Sequence, residues 1–108
     1  MPTDADIIAK RLIEVVSTGD TDGFLDLFTD HGFVDDWGRT FTGHGQIRAW
    51  SDEEFIGAHG HLSRIRIEST ATTATIVAQW SSERHTGPSR FVLHIAGGGL
   101  RSMTITEA

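Results

Sequence analysis

Two kinds of hydrophobic spacing divide the chain into a helical part and a strand-rich part. Near the start, apolar residues recur at helical intervals: Ile8, Leu12, Val15 and Val16. This spacing predicts a helix from about Asp4 to Thr18, capped by Thr3 or Asp4 and ended by Gly19. A shorter helix, capped by Asp20 or Thr21, is predicted from four further apolar residues: Phe24, Leu25, Leu27 and Phe28.

The next segment contains a predicted break, a hairpin and two short helical pieces. Residues 29–32 favour a break, and residues 33–37 form a first strand that Gly38 and Arg39 turn into a second strand at residues 40–42. A short helix is expected around Trp50.

Ser51 starts the second helical piece, because it is followed three residues later by Glu54 in the pattern of a capping box. On this interpretation the acidic residues 52–54 form the solvated first turn of a helix, where carboxylates complement the helix dipole.

From His61 onwards the apolar spacing changes from helical to alternating, which predicts β-strands. One face of the first of these strands carries His61, Ser63, Ile65 and Ile67. The second strand runs from about Ala74 to Trp80, and residues 81–89 form a polar loop. One face of the third strand carries Arg90, Val92 and His94. A hairpin turn at residues 96–99 leads into the last strand at residues 100–107.

Helices followed by a mostly antiparallel sheet predict the α+β class, with the helices packed on one face of a curved sheet. The length of 108 residues predicts a single domain over residues 1–108. A hydrophobic share of 38% allows one modest core.

Charge and composition narrow the classes of function. The net charge of -6 disfavours nucleic acid, because phosphate binding needs a basic face. The absence of cysteine removes thiol chemistry and thiolate metal sites. The first residues carry no basic stretch followed by an apolar run, and no segment has the length of a membrane span. We therefore expect a cytoplasmic protein that binds neither nucleic acid nor membranes.

Five short motifs follow one another in an order typical of a known family. They lie at residues 17–20, 27–30, 34–39, 41–47 and 98–103. Together they resemble the nuclear transport factor 2-like superfamily, which includes ketosteroid isomerases and SnoaL-like polyketide cyclases. The resemblance covers nearly the whole chain. It implies a cone-shaped, cystatin-like α+β barrel with helices on the concave face of the sheet, a deep apolar pocket and a homodimer through the open face of the sheet. It implies no single activity, because this scaffold carries several enzyme classes and noncatalytic binders.

Asp36 is the candidate base, because the resemblance to steroid isomerases places their catalytic acid at this strand end. A carboxylate in an apolar cavity has a raised pKa and becomes a useful base near neutrality. The alternative is that Asp36 or Asp35 caps the turn at Gly38 or pairs with Arg39. Strand alternation puts the two carboxylates on opposite faces, so at most one points inward.

The chain departs from those isomerases where they hold the enolate oxygen. Their Tyr on the first helix corresponds to Leu12, and this chain contains no Tyr. Their Asp on a late strand corresponds to Arg90, or to Ser89 if the register slips by one. Neither residue is a neutral acid donor, although Arg90 would supply a cation to stabilise an enolate or carboxylate.

Further candidates surround this proposed site. His61 and His94 are candidate general acids or hydrogen-bond donors at the cavity. The predicted ligand-binding residues are Trp37, Arg39, Trp50, Phe55, Trp80 and His94. The aromatic side chains would favour a flat, apolar or polycyclic ligand, although core filling is the favoured interpretation for most of them. His59 and His61 have a spacing that metal ligands can have, but surface or rim roles are favoured and no metal or organic cofactor is expected.

Two functions stay open. The first is an isomerase or cyclase that abstracts and returns a proton on a small hydrophobic carbonyl compound, with Asp36 as base and Arg39, His61, Arg90 or His94 orienting the substrate. The second is a noncatalytic dimeric module that binds an apolar ligand or a partner domain. A hydrolase is a lesser third interpretation.

Overall fold

The structure of the protein, a computed structural model, describes residues 3–108. Its elements in chain order are α1 (Asp4–Thr18), α2 (Thr21–Asp26), β1 (Phe28–Asp36), β2 (Arg39–Thr42), α3 (Gly43–Glu54), β3 (His61–Ser69), β4 (Thr73–Ser81), β5 (Thr86–Ala96) and β6 (Gly99–Glu107). Met1 and Pro2 lie outside the described residues. They begin the segment in which the sequence predicts no secretory signal. The predicted α+β class is confirmed.

One sheet carries all the strands that the structure describes, in the order β2-β1-β6-β5-β4-β3. β1 and β6 run parallel, and the other neighbours are antiparallel. The curved sheet does not close into a barrel, since β2 and β3 remain its edges. α1 packs across β3, β4 and β5, and α3 packs against β1 and β2. The face beneath the helices is called the inner face here.

The first helix begins and ends where the sequence predicts, whereas the second begins as predicted but ends at Asp26, before Leu27 and Phe28. Thr3 Oγ1 accepts a hydrogen bond from the Asp6 backbone N–H at 3.2 Å, and Gly19 ends α1 in the left-handed conformation. The Asp20 side chain caps α2 by accepting from the Gly23 N–H at 2.9 Å. The helical spacing of α1 is confirmed by its buried residues, which include Ile8, Leu12, Val15 and Val16.

Two predicted loops are partly strand. β1 begins at Phe28 and not at Phe33, because residues 29–32 form an irregularity inside the strand. Phe28 pairs with Leu100 while Phe33 pairs with Ser102, so the extra residues bulge out of the pairing. β5 begins at Thr86, which shortens the predicted polar loop to residues 82–85.

The predicted helix restart at Ser51 is wrong, because α3 is continuous from Gly43 to Glu54. Ile47, Trp50 and Ser51 form one buried stripe at helical spacing. Ser51 Oγ accepts a long hydrogen bond of 3.4 Å from the Ile56 N–H. Glu54 therefore lies at the end of a helix and not in its first turn.

The predicted faces of β3 are also wrong. Ser63 pairs with Gln79 but Arg66 pairs with Val77, so a bulge interrupts the alternation, and Arg64 has a φ of 51°. Leu62 is consequently buried and Ile67 packs against the same core, although they are an odd number of positions apart. His61, next to Leu62, is exposed.

The outer face of the sheet is only partly covered. Phe33, Val77 and Val92 are half-buried there, beside the exposed Arg90. The homodimer expected through this face stays a prediction. Within residues 3–108, no helix combines the length and the hydropathy that crossing a membrane requires.

Candidate functional site

A cavity of about 490 Å³ lies where the β1–β2 hairpin, the end of α3 and the inner face of the sheet meet. Small-molecule sites in proteins measure roughly 300–1,000 Å³. Six of its lining residues belong to the set predicted from the sequence: Asp36, Trp37, Arg39, Trp50, Phe55 and Trp80. The β1–β2 hairpin therefore borders a cavity within this size range, and its use as a ligand pocket stays a prediction.

The turn between β1 and β2 gives the two adjacent carboxylates different partners. Trp37 (φ 55°) and Gly38 (φ 87°) form its two central residues, as in the tight hairpins that suit twisted strands. Asp36 and Arg39 consequently lie directly opposite each other. Asp35 Oδ1 accepts from the Gly38 N–H at 2.8 Å and caps the turn. Asp35 thus fills the predicted cap. Asp36 lines the cavity and also pairs with Arg39, which was the predicted alternative to a functional role.

Trp37 holds a strained backbone conformation at the rim of the cavity. A positive φ is uncommon for a bulky residue and costs free energy. Its N–H donates to the Ile105 carbonyl oxygen at 3.2 Å, and its side chain is 56% exposed. The turn thereby presents an aromatic ring to solvent at the entrance to the cavity.

Asp36 is held by one of its two carboxylate oxygens. Oδ2 accepts from Trp50 Nε1 at 3.1 Å and from Arg39 Nη2. No hydrogen bond from residues 3–108 reaches Oδ1. The side chain is 13% exposed. Two donors therefore orient the carboxylate and leave its second oxygen available to a ligand.

Arg39 joins Asp36 to Glu54 at the end of α3. Its Nη1 donates to Glu54 Oε2 at 3.0 Å and its Nη2 to Oε1 at 2.9 Å, a bidentate pair. The hydrogen bond from Arg39 lowers the pKa of Glu54 despite the opposing effect of burial, and Arg84 adds a smaller lowering. The bond to Glu54 is also the largest cause of the raised pKa of Arg39. Arg39 thus offsets the negative charge of Glu54 at the C-terminus of α3, where the helix dipole disfavours a negative charge.

Replacing Arg39 with glutamine is expected to destabilise the protein, and the loss of stability relative to wild type should be larger at pH 7 than at pH 3. The pKa of Glu54 is depressed in the folded state, so the pair stabilises above the ordinary value of 4.5 and this contribution is lost as pH falls through the folded pKa. Because the Arg39 side chain is 53% exposed, we expect a loss of about 0.5–1 kcal/mol at pH 7.

Urea unfolding of Arg39→Gln at both pH values measures this difference. Arg101→Gln is the matched control, because Arg101 is exposed and forms no ion pair within residues 3–108. Equal destabilisation of Arg39→Gln at the two pH values would contradict the assigned role of Glu54.

Stacked aromatic rings form one wall of the cavity. Trp50 lies between Phe41 and Phe55 at centroid distances of 5.9 and 4.9 Å, and Phe55 stacks on Trp80 at 4.8 Å with an interplanar angle of 11°. Phe91 meets Trp80 edge to face at 6.1 Å. Trp50 and Trp80 are each only 4% exposed. This flat, apolar wall suits a planar ligand.

Three predicted site residues do not reach the cavity. Arg90 lies on the outer face because its neighbours Ser89 and Phe91 point inward, and a shift of one residue reverses the face of a strand. His94, two positions further along β5, is exposed on that same outer face. His61 is exposed beside the buried Leu62. Their predicted placement at the cavity is corrected accordingly.

The cavity also contains residues outside the predicted set of site residues: Glu54, Arg84, His85, Ser89, Phe91 and Ile105. Phe91 is one of the aromatics that the sequence assigns to the core or the pocket wall. Ser89 is the alternative obtained when the register slips by one, and it is 5% exposed. Glu54 follows Ile47 and Trp50 at helical spacing. This spacing in the sequence would have identified Glu54 as a residue on the inward side of the helix. His85 was expected in an exposed loop, and it is exposed there while also lining the rim.

The two closely spaced histidines lie apart from this cavity. His59 Nδ1 lies 3.0 Å from Glu83 Oε1, and His61 is exposed. Within residues 3–108, no group of three His, Asp or Glu side chains is placed to hold a metal ion.

Comparison with known proteins identifies the fold. No family model matches the sequence, and no curated protein matches it. A candidate polyketide cyclase from Sinorhizobium meliloti is 18% identical, with a TM-score of 0.83 over 98% of this chain and 95% of that one. A candidate ketosteroid isomerase from Kribbella flavida is 13% identical, with a TM-score of 0.81 over 97% and 79%. An NTF2-like protein of unknown function from Cytophaga hutchinsonii is 8% identical, with a TM-score of 0.81 over 98% and 90%. The chain has the nuclear transport factor 2-like fold that the five sequence motifs predict.

Proposed function

We propose that this protein binds a small, flat, hydrophobic carbonyl compound and transfers a proton on it, giving isomerisation or intramolecular ring closure. The observation that carries the proposal is the state of Asp36. It is 13% exposed at the edge of an aromatic wall, with Oδ2 held by two donors and Oδ1 left without a hydrogen bond from residues 3–108. A general base needs this combination of fixed orientation and one accessible oxygen.

The reaction on this proposal begins with the transfer of a proton from the carbon next to the ligand carbonyl to Asp36 Oδ1. The bonding electrons move into the ligand as an enolate, and Asp36 becomes a carboxylic acid. Returning the proton to another carbon gives an isomer. Alternatively, the enolate carbon attacks a second carbonyl of the ligand and closes a ring, and Asp36 returns its proton to the alkoxide that forms. The residues of the chain suffice for these steps without a cofactor.

Ser89 is the hydrogen-bond donor that we assign to the ligand carbonyl, in place of Arg90. Its hydroxyl lines the cavity and makes only a long hydrogen bond of 3.3 Å to the Gly87 carbonyl oxygen. A ligand oxygen can replace that weak partner. A neutral hydroxyl stabilises an enolate less than an acid donor does. The site therefore favours ligands in which the C–H proton next to the carbonyl is already unusually acidic.

Binding of 2-tetralone, a flat bicyclic ketone, is expected to change tryptophan fluorescence mainly through Trp37. Trp37 is 56% exposed at the rim, whereas Trp50 and Trp80 are already buried at 4%. Titration of the wild-type protein and of Trp37→Phe with 2-tetralone measures this effect, and thermal unfolding with and without ligand measures binding independently.

The expected result is a strong fluorescence change in wild type and a weak one in Trp37→Phe, with thermal stabilisation in both. Ligand stabilisation with an unchanged fluorescence response in Trp37→Phe would place the ligand away from the rim. Absence of stabilisation by 2-tetralone and related flat ketones would contradict the proposed ligand class.

A noncatalytic binding module is the second candidate, and a specific observation favours it. Arg39 pairs with Asp36, and the position of the isomerase Tyr holds Leu12, an apolar residue that is 1% exposed. A carboxylate engaged in an ion pair, facing no acid donor, suits binding more than turnover. Exchange of the α-protons of bound 2-tetralone with solvent deuterium separates the candidates, because only the enzyme accelerates it.

A further inference from the structure

Arg84 is a cation at the cavity rim that forms no ion pair with any residue the structure describes. It lines the cavity together with His85, in the four-residue connection between β4 and β5. Arg39 and Arg48 are both engaged in ion pairs. Arg84 is exposed and forms no ion pair within residues 3–108, although it lies near enough to Glu54 to contribute to lowering its pKa.

The connection that carries Arg84 is held in place by Ser82. Ser82 Oγ accepts from the backbone N–H groups of Arg84 and His85, each at 3.1 Å. The same hydroxyl donates to the His85 carbonyl oxygen at 3.0 Å, which also accepts from the Ser82 N–H at 3.0 Å. The backbone at Arg84 is therefore fixed before any ligand binds.

A second attachment ties this connection to the segment between α3 and β3. The Glu83 N–H donates to the Ala58 carbonyl oxygen at 3.0 Å, and the Glu83 carboxylate lies 3.0 Å from His59 Nδ1. Both contacts are made by Glu83, the residue before Arg84, and neither involves the Arg84 guanidinium. Such pre-ordering lowers the entropic cost of binding a ligand group at the rim.

The charges around the cavity are separated along its length. Asp36 and Glu54 share the single cation Arg39, so the side formed by β1 and α3 carries a net charge of about -1. Arg84 carries a positive charge on the β4–β5 connection, near enough to Glu54 to contribute to its lowered pKa, and β6 lies between β5 and β1, the strand that carries Asp36. Strand spacing makes the separation between β1 and β5 on the order of 10 Å, which is comparable to the length of a fused two-ring compound.

We propose that the ligand is an aromatic or polycyclic acid whose carboxylate binds Arg84, with His85 as an additional donor, while its carbonyl end lies at Asp36. This inference rests on the proposed function and specifies its substrate class. The opposite orientation would place the ligand carboxylate beside Asp36 and Glu54, where like charges repel. The cavity thus orients its ligand by charge as well as by shape.

Calorimetric titration with 2-naphthoate and with 2-naphthamide tests the inference, because the two probes share their shape and differ in charge. We expect wild type to bind the carboxylate about fivefold more tightly, the effect of one partly exposed charge pair. Arg84→Gln is expected to bind the two probes about equally, and Arg84→Lys is expected to keep part of the preference for the carboxylate. Arg101→Gln, a charge-matched control away from the cavity, is expected to retain it.

Each other result overturns the inference in a distinguishable way. Equal binding of the two probes by wild type refutes the anionic ligand and leaves the proposed apolar pocket intact. A preference that survives in Arg84→Gln refutes Arg84 as its source. If neither probe binds, the proposed function fails, and the inference fails with it.

Discussion

Asp36→Asn is expected to slow the exchange of 2-tetralone α-protons with solvent by roughly 100- to 10,000-fold, the usual effect of removing a general base. An amide has nearly the shape of a carboxylate but cannot take the proton. Its oxygen can still accept from Trp50 Nε1, which binds Asp36 at 3.1 Å in the wild type. Ligand binding should therefore persist. Proton NMR in deuterated water follows the exchange, and calorimetry follows the binding.

Asp35→Asn is the matched control for this experiment. It makes the same chemical change one residue earlier, at the carboxylate that caps the hairpin turn through the Gly38 N–H at 2.8 Å. We expect wild-type exchange rates and a stability loss of about 1 kcal/mol or less. Unchanged exchange in Asp36→Asn would remove Asp36 as the base. Tight binding without any exchange in the wild type would favour the noncatalytic module.

The choice between Asp35 and Asp36 shows what strand alternation can predict. Alternation requires that the two carboxylates face opposite sides, and it does not say which side is inner. Burial settles the choice, since Val34 is 0% exposed and lies two positions before Asp36 on the same face of β1. The two-residue turn at Trp37 and Gly38 then pairs Asp36 with Arg39 across the hairpin. The ion pair is thus a consequence of the turn, and both are encoded within a few residues of sequence.

Failures of the sequence-based predictions have nonlocal causes. His61 was assigned to the inner face by counting from Ile67, but the bulge between Ser63 and Arg66 reverses the count. A bulge depends on the partner strand, so periodicity within β3 alone cannot place it. The odd spacing of Leu62 and Ile67 was the available sign of an irregularity.

Glu54 and Arg84 illustrate two other limits. The Ser51–Glu54 pair has the local pattern of a helix start, yet burial of Trp50 and Ser51 on one stripe keeps α3 continuous. Tertiary packing outweighs a cap of about 1 kcal/mol. Arg84 carries no local signal at all, because its position at the rim follows from the length of the β4–β5 connection and the path of the sheet.

Gly60→Ala is expected to lower the free energy of unfolding by about 2–3 kcal/mol, near the upper end for overpacking a core. A Cβ at this position would lie 2.0 Å from Trp80 Cη2 and 2.6 Å from Cζ2. Trp80 cannot simply withdraw, since it stacks on Phe55 at 4.8 Å and meets Phe91 edge to face. Displacing the ring also deforms the aromatic wall, so affinity for flat ligands should fall in parallel.

Two further variants isolate the contact between Gly60 and the Trp80 ring. Gly45→Ala adds the same methyl group in α3, where nothing lies within 4 Å, and it should stabilise by up to about 1 kcal/mol through helix propensity. Trp80→Phe removes the ring atoms that clash, so adding Gly60→Ala to it should cost little more than Trp80→Phe alone. Urea unfolding of the wild type, Gly60→Ala, Trp80→Phe and the double variant measures this coupling. Additive losses in the double variant would show that Gly60 is required for a reason other than its contact with Trp80.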